Sequence, residues 1–246
     1  MQINPPFGYT EVVPLLKTHR VRLMRAGEAP PFSRTLNAIP ISYTEFAPAA
    51  RDYPVVFTSG DGGKTYAPVA VLGMTQGENL FSAQDAWAQD VYVPAYARRY
   101  PFCMAKVRLQ DVERQDRLIC VEKAYVDEAG GEPLFDGKGE PLEKWRDLQR
   151  LLVEYEADLE RGRELCTILA DYALLQPFNM QAKLNQGGQM QLTGMHRVDE
   201  TKIEHLNASQ FKNLAKKDIL GRIYAHLLSL ENFGRLLRRR AGRAPV

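Results

Sequence analysis

The segment from Leu142 to Leu175 constrains the fold most, because its apolar residues recur at steps of three and four positions with charged residues between them. This spacing is typical of an amphipathic helix that buries one face. Pro177 predicts the end of the helix, and Gly162 predicts a kink or a close crossing within it. The apolar positions are Leu142, Trp145, Leu148, Leu151, Leu152, Tyr155, Leu159, Leu165, Ile168, Leu169, Tyr172 and Leu175.

The part of the chain before this helix shows strand-like patterns from about residue 39 to residue 125. Residues 1–37 are rich in proline and are predicted to be irregular. Runs of β-branched and aromatic residues separated by turn signals predict antiparallel strand pairs. Two pairs are expected, Tyr53–Phe57 with Tyr66–Met74 around a glycine-containing loop, and Phe102–Arg108 with Arg117–Tyr125.

After the helix, residues 178–192 alternate around the turn 185–188, which predicts a further hairpin. Asp199 is expected to cap a short helix through Leu206, and Ser209 to cap the next one. Ile219–Arg240 is expected to form one long C-terminal helix. The predicted class is α+β: an N-terminal antiparallel β-rich part with hairpins, a long amphipathic helix, a second β-hairpin and a C-terminal helical part.

The chain is expected to form a single domain over residues 1–246. Residues 127–141 contain four glycines and two prolines, so a boundary between a β-rich half and a helix-rich half is expected near them.

Composition argues against several classes of protein. The 246 residues include 32 Lys and Arg against 30 Asp and Glu, a net charge of +2, which argues against a nucleic-acid-binding protein. Five arginines near the end (Arg235, Arg238, Arg239, Arg240 and Arg243) keep phosphate binding as an alternative. The apolar stretches fall far below the roughly 20 residues of a membrane helix, so no membrane insertion is expected. Three cysteines without a CxxC motif, and no signal-peptide pattern at the start, predict reduced thiols and a cytoplasmic location.

Two groups of residues are candidates for catalysis or cofactor binding. Thr58–Thr65 follows a strand and ends in Gly-Lys-Thr, but Thr58 replaces the first glycine of a phosphate-binding loop, so a hairpin turn is predicted. His196, Asp199, Glu204 and His205 are candidates for acid–base or metal chemistry, yet they lack recognised metal-ligand spacing. No cofactor and no metal site are predicted, and the catalytic residues of any enzyme activity stay unknown.

The segment from Trp87 to Phe102 combines many aromatic residues with two adjacent arginines, a composition enriched at binding surfaces. It predicts a ligand-binding surface with arginines as contacts for an anion and aromatic rings as walls. The alternative is a packed loop whose aromatic residues belong to the core. The predicted ligand-binding residues are Trp87, Tyr92, Tyr96, Arg98, Arg99 and Tyr100.

Several short motifs together carry a resemblance that covers most of the chain. They are Glu45-Phe46, Tyr53–Phe57, Gly77–Phe81, Trp87, Tyr92–Pro94, Arg98–Phe102, Leu192–Gly194, Val198–Glu200 and Ile223–Leu230. With these motifs the chain resembles the SapC family, bacterial proteins named for a link to surface-layer gene clusters. Ala86 stands where the family pattern has glycine. The resemblance implies a surface-layer or nutrient-uptake context and carries no established catalytic residues.

Two functions follow from these observations. The first is a cytosolic accessory protein that recognises a peptide, a protein segment or a small anionic ligand through the aromatic and arginine surface. A protein or peptide partner is expected in that case. The alternative is an enzyme of unrecognised type that acts on a peptide or sugar with or without a metal ion. The sequence leaves open whether the protein is an enzyme.

Overall fold

The computed structural model describes residues 2–109, 112–183 and 189–242. It confirms the α+β class. The strands are β1 (Gln2–Ile3), β2 (Val12–Pro14), β3 (Arg20–Val21), β4 (Ala38–Pro40), β5 (Val55–Thr58), β6 (Ala67–Val71), β7 (Ser82–Ala83), β8 (Ala86–Trp87), β9 (Phe102–Leu109), β10 (Val112–Glu122), β11 (Glu132–Pro133), β12 (Leu175–Lys183) and β13 (Gln189–Val198). The α-helices are α1 (Phe46–Ala50), α2 (Ala95–Arg98), α3 (Glu143–Asp171), α4 (Glu200–Ile203), α5 (Ala208–Lys216), α6 (Ile219–Ser229) and α7 (Asn232–Ala241).

A five-stranded antiparallel sheet has the order β12-β13-β5-β6-β4. The predicted hairpin of β5 and β6 is confirmed, with Val55 opposite Ala70 and Thr58 opposite Ala67. The predicted second hairpin is confirmed as β12 and β13, while its expected turn at residues 185–188 lies outside the described residues.

A four-stranded antiparallel sheet has the order β1-β9-β10-β2 and confirms the second predicted strand pair. Its outer strands correct the expectation that residues 1–37 are irregular. Strand β1 pairs with β9, and β2 pairs with β10. These short strands form hydrogen bonds with the backbone N–H and C=O groups at the outer edges of β9 and β10. They therefore depend on pairing with strands far away in the sequence and not on a local pattern.

Helix α3 confirms the long amphipathic helix and corrects two details. It continues through Gly162, where a Cβ atom would have no described neighbour within 4 Å, so this glycine does not mark a close crossing. The helix ends at Asp171, and Leu175 already belongs to β12. Pro177 lies in that edge strand, where a missing N–H donor is tolerated.

The C-terminal part is helical, but the single helix expected over residues 219–240 is wrong. The chain forms α6 and α7, which are separated at Leu230 and Glu231. Asn232 Nδ2 donates hydrogen bonds to the carbonyl oxygens of Ala50 (2.7 Å) and Tyr53 (3.1 Å), and these bonds anchor the start of α7 on the segment before β5.

The predicted helix caps are confirmed in one case and wrong in the other. Asp199 accepts a hydrogen bond from the Thr201 N–H and caps α4, as predicted. Asn207, not Ser209, caps α5, because it forms a reciprocal capping box with Gln210.

Two buried apolar clusters meet along α3. Trp145 and Leu152 of its first half pack in the smaller cluster with β9 and β10. Leu165 and Leu169 of its second half pack in the larger cluster with the five-stranded sheet and helices α5, α6 and α7. The expected single domain, with its boundary near residues 127–141, stays a prediction. None of the described helices is both long and apolar enough to cross a membrane.

Candidate functional site

The predicted ligand-binding residues separate into buried and accessible side chains. Trp87, Tyr96, Arg99 and Tyr100 are at most 6% exposed, whereas Tyr92 is half-buried and Arg98 is exposed. Four of the six side chains therefore pack inside the protein, and two are accessible at its surface. Whether any of the six contacts a ligand stays a prediction.

Arg99 lies in a cage of aromatic rings near the junction of the two apolar clusters. Its guanidinium carbon is 4.3 Å from the ring centroid of Tyr96, 4.7 Å from that of Tyr155 and 5.9 Å from that of Tyr9. Its Nη1 lies 3.5 Å from Glu156 Oε1. Cation–π contacts and one ion pair thus stabilise this charge inside the protein.

Arg98, the last residue of α2 and the one before Arg99, is exposed at the surface. Its Nε donates to the Val93 carbonyl oxygen (3.0 Å), and its Nη2 donates to the Tyr92 hydroxyl (3.1 Å). The Tyr92 hydroxyl donates to Glu45 Oε1 (3.0 Å), which also accepts the Ala95 N–H (2.6 Å). Glu45 is buried and fully engaged, so this chain of bonds fixes the start of α2 and does not form an open site.

Trp87 borders a cleft of about 330 Å³ that opens between β7, β8 and α7. The Trp87 Nε1–H donates to the Tyr53 hydroxyl (2.9 Å), which itself donates to the Tyr92 carbonyl oxygen. Burial raises the pKa of Tyr53, so its hydroxyl keeps the proton that it donates. The cleft is lined by Leu80, Phe81, Ser82, Ala83, Ala86, Trp87, Ala88 and Arg239.

Arg239 brings a charge to this apolar cleft. Its guanidinium carbon lies 4.4 Å from the centroid of the Phe81 ring. Among the described residues that line the cleft, Arg239 alone carries a charge, and in the described part of the chain it has no carboxylate within 4.0 Å. Stacking on Phe81 covers one face of the planar guanidinium and leaves its N–H edges able to bind an anion.

The motif Gly77–Phe81 positions the wall of the cleft beneath Arg239. Asn79 Nδ2 donates to the Ser33 carbonyl oxygen (2.7 Å), and Asn79 Oδ1 accepts the Phe81 N–H (2.8 Å). Upstream, a Cβ on Gly73 would lie 1.9 Å from the Glu78 carbonyl oxygen, so only glycine fits this close approach. The side-chain orientation of Phe81 thus follows from a loop fixed at both ends.

The C-terminal arginines are spread over separate contacts rather than gathered in one basic patch. Arg235 donates to the Arg51 carbonyl oxygen (2.7 Å), and Arg240 pairs with Glu78 (3.0 Å). Arg238 is exposed, and Arg243 lies outside the described residues. Sequence reasoning missed that Arg239 lines the same cleft as Trp87, since no local pattern connects two residues so far apart in the chain.

Three of the candidate acid–base residues, Asp199, His196 and His205, have local structural contacts. Asp199 caps α4, His205 Nδ1 lies 2.8 Å from the Thr201 carbonyl oxygen, and Glu204 is exposed. His196 packs against the Tyr66 ring at 4.9 Å. Over residues 2–109, 112–183 and 189–242, no group of three or more His, Cys, Asp or Glu side chains is placed to hold a metal ion.

The remaining motifs have structural roles. The loop that resembled a phosphate-binding loop is the turn of the β5–β6 hairpin, as predicted, and Asp61 accepts the N–H groups of Lys64 and Thr65. The three cysteines are free and buried, and burial raises the pKa of Cys103 and Cys166 to about 12.

His226 bridges two strands of the five-stranded sheet. The register of β13 on β5 places His196 opposite Phe57, so continued pairing would place Val198 opposite Val55. The imidazole lies between them instead: its Nδ1–H donates to the Val55 carbonyl oxygen (2.7 Å), and its Nε2 accepts the Val198 N–H (3.1 Å). Burial lowers the pKa of His226 to about 4, so this buried ring is neutral and keeps both bonds at neutral pH.

The comparisons with known proteins identify one family. The family model SapC matches residues 16–236, a range that includes Phe81 and Trp87, whereas Arg239 lies three residues beyond it. A search of curated proteins and a search of solved structures found no match. The matched range is nearly the whole chain, and it contains all of the five-stranded sheet and α3. The chain therefore belongs to the SapC family.

Proposed function

We propose that this protein binds an anionic ligand in the cleft between Trp87 and Arg239. The observation that carries the proposal is the Arg239 guanidinium, which is stacked on Phe81 beside an apolar cleft and has no carboxylate partner in the described chain. A planar guanidinium with free N–H edges binds a carboxylate through two parallel hydrogen bonds.

The shape of the cleft supports a ligand with an apolar body. Phe81 and Trp87 provide aromatic surface, and three alanines (Ala83, Ala86 and Ala88) leave space beside it. A volume of about 330 Å³ lies at the lower end of the roughly 300–1,000 Å³ typical of ligand sites, so a small molecule or the end of a peptide fits better than a folded segment. The ligand is a carboxylate, either free or carried by a peptide.

The cellular role proposed with this site is that of an accessory protein in the cytoplasm, in a surface-layer or nutrient-uptake context. The context is what the resemblance to the family implies, and the three unpaired cysteines support a reducing compartment. The alternative of an enzyme has no specific observation in its favour: Asp199 caps α4, His205 lies on the Thr201 carbonyl oxygen of the same helix, and His196 packs against Tyr66.

The test measures binding of phenylacetate by the fluorescence of Trp87, in a Trp145→Phe background that removes the second of the two tryptophans. Arg239→Gln should weaken binding about tenfold or more, since a charge-assisted hydrogen-bond pair is lost. Arg238→Gln is the matched control, because Arg238 is exposed and does not line the cleft.

Equal affinity in the Arg239 and Arg238 variants would refute the site, and so would an unaltered wild-type signal at all phenylacetate concentrations. Where the site is supported, capture of small molecules and peptides from native lysate by the wild type, compared with the Arg239→Gln variant, identifies the natural ligand.

A further inference from the structure

A carboxylate near the cleft neutralises the second arginine of α7. Glu78 Oε2 lies 3.0 Å from Arg240 Nη1 and also accepts the Met74 N–H (2.8 Å). Arg240 and Glu78 are both partly buried, with about 29% and 21% of their side chains exposed, so solvent screens this pair only in part. Arg240 follows Arg239 directly, and Glu78 comes two residues before Leu80 of the cleft wall.

Of the other carboxylates close in sequence to the cleft, Asp85 is also engaged. Asp85 lies in the turn between β7 and β8, and it pairs with Arg34. The pair of Arg240 with Glu78 and the pair of Arg34 with Asp85 each sum to zero charge. Among the described residues that line the cleft, Arg239 therefore contributes the one positive charge, and Arg240 beside it adds none because Glu78 neutralises it.

We infer that Glu78 is a specificity-determining residue, which restricts the cleft to ligands with a single negative charge and disfavours dianions such as phosphate monoesters. This inference rests on the proposed function. A dianion needs a second positive charge for full neutralisation, and Glu78 holds that charge, on Arg240, in an ion pair.

The experiment compares two ligands of similar size at pH 8: phenylacetate with one negative charge, and phenyl phosphate, which is a dianion there because its second pKa is about 6. Glu78→Gln keeps an acceptor for the Met74 N–H and removes the negative charge beside Arg240. It should raise the affinity for phenyl phosphate relative to phenylacetate by about tenfold, the effect of one unit charge at a partly screened distance.

Arg240→Gln gives the opposite perturbation, because it leaves the Glu78 charge near Arg239 without its ion-pair partner. It should weaken both ligands and weaken phenyl phosphate more. Arg238→Gln, on the exposed face, should leave the ratio of the two affinities within about twofold of the wild-type ratio.

The outcomes separate the two proposals. If the wild type binds phenylacetate through Arg239 but the affinity ratio is the same in Glu78→Gln, the role of Glu78 is overturned and the binding site stands. If neither ligand binds the wild type, both proposals are overturned. Circular dichroism spectra identical to the wild-type spectrum establish that each variant is folded.

Discussion

Lowering the pH from 7.5 to 5.0 should destabilise this protein through His226. The imidazole is fully buried, and its two nitrogens take the place of a direct hydrogen bond between Val198 and Val55. Protonation puts a hydrogen on Nε2, which can then no longer accept the Val198 N–H. It also places an uncompensated charge in the core.

The magnitude follows from the difference in pKa between the two states. Burial lowers the pKa of His226 from its ordinary value of 6.5 to about 4 in the folded protein. Between these values the unfolded chain binds more protons than the folded one. The contribution of the neutral His226 to the free energy of unfolding is therefore fully present above pH 6.5, and it is lost as the pH falls toward 4. Proton linkage with a pKa of 6.5 in the unfolded chain and about 4 in the folded protein lowers the free energy of unfolding by about 2 kcal/mol between pH 7.5 and pH 5.0.

The assay is urea unfolding followed by far-ultraviolet circular dichroism, for the wild type and for His226→Gln, at several pH values from 7.5 to 5.0. Glutamine keeps an acceptor for the Val198 N–H but loses the bond to the Val55 carbonyl oxygen, so the variant should be about 2 kcal/mol less stable at pH 7.5. Because glutamine does not titrate, this gap should nearly close at pH 5.0.

Comparing the two proteins cancels the titration of groups that they share, including His196, whose pKa burial also lowers. A gap that stays constant from pH 7.5 to pH 5.0 would refute the assignment of a neutral, bridging imidazole.

Three further predictions test the structural roles of particular residues. Arg99→Ala should lower the free energy of unfolding in urea by about 3 kcal/mol, whereas Arg98→Ala should lower it by less than about 1 kcal/mol; equal effects would contradict the buried cage. Gly73→Ala should lower thermal stability by about 2 kcal/mol or more, since its Cβ would overlap the Glu78 carbonyl oxygen; an unchanged melting temperature would argue against that contact. The three cysteines, buried and with raised pKa values, should resist a thiol-specific colour reagent in the native protein and all react after denaturation; rapid reaction without denaturant would show that a thiol is accessible.

Much of the fold could be predicted from local patterns, because α3 and the three main hairpins each repeat their apolar period over several residues. The short strands β1 and β2 have two and three residues, too few to show a period, and they depend on pairing with β9 and β10. The separation of α6 from α7 could not be predicted because here the apolar period continues without interruption. The apolar spacing continues across Leu230 without glycine or proline, and only contacts of Asn232 with distant carbonyl groups redirect the chain.

The candidate site was predicted in part. Composition selected Trp87, which borders the cleft, together with Arg99, which is buried. Arg98 and Arg99 are neighbours in sequence, but consecutive residues of a helix point in directions about 100° apart, so one is exposed and the other lies in the core. Composition cannot distinguish these directions. Arg239 comes from the other end of the chain, and its place at the cleft depends on how α7 packs.

Tyr53 connects the two walls of the cleft and explains why they keep their relative position. Its carbonyl oxygen accepts a hydrogen bond from Asn232 at the start of α7, the helix that carries Arg239. Its hydroxyl accepts the Trp87 Nε1–H, and its ring lies 4.5 Å from that of Phe81. One buried residue thus holds the helix of the charged group and both aromatic walls. In the proposed complex, binding would therefore not have to offset the entropy of arranging these groups.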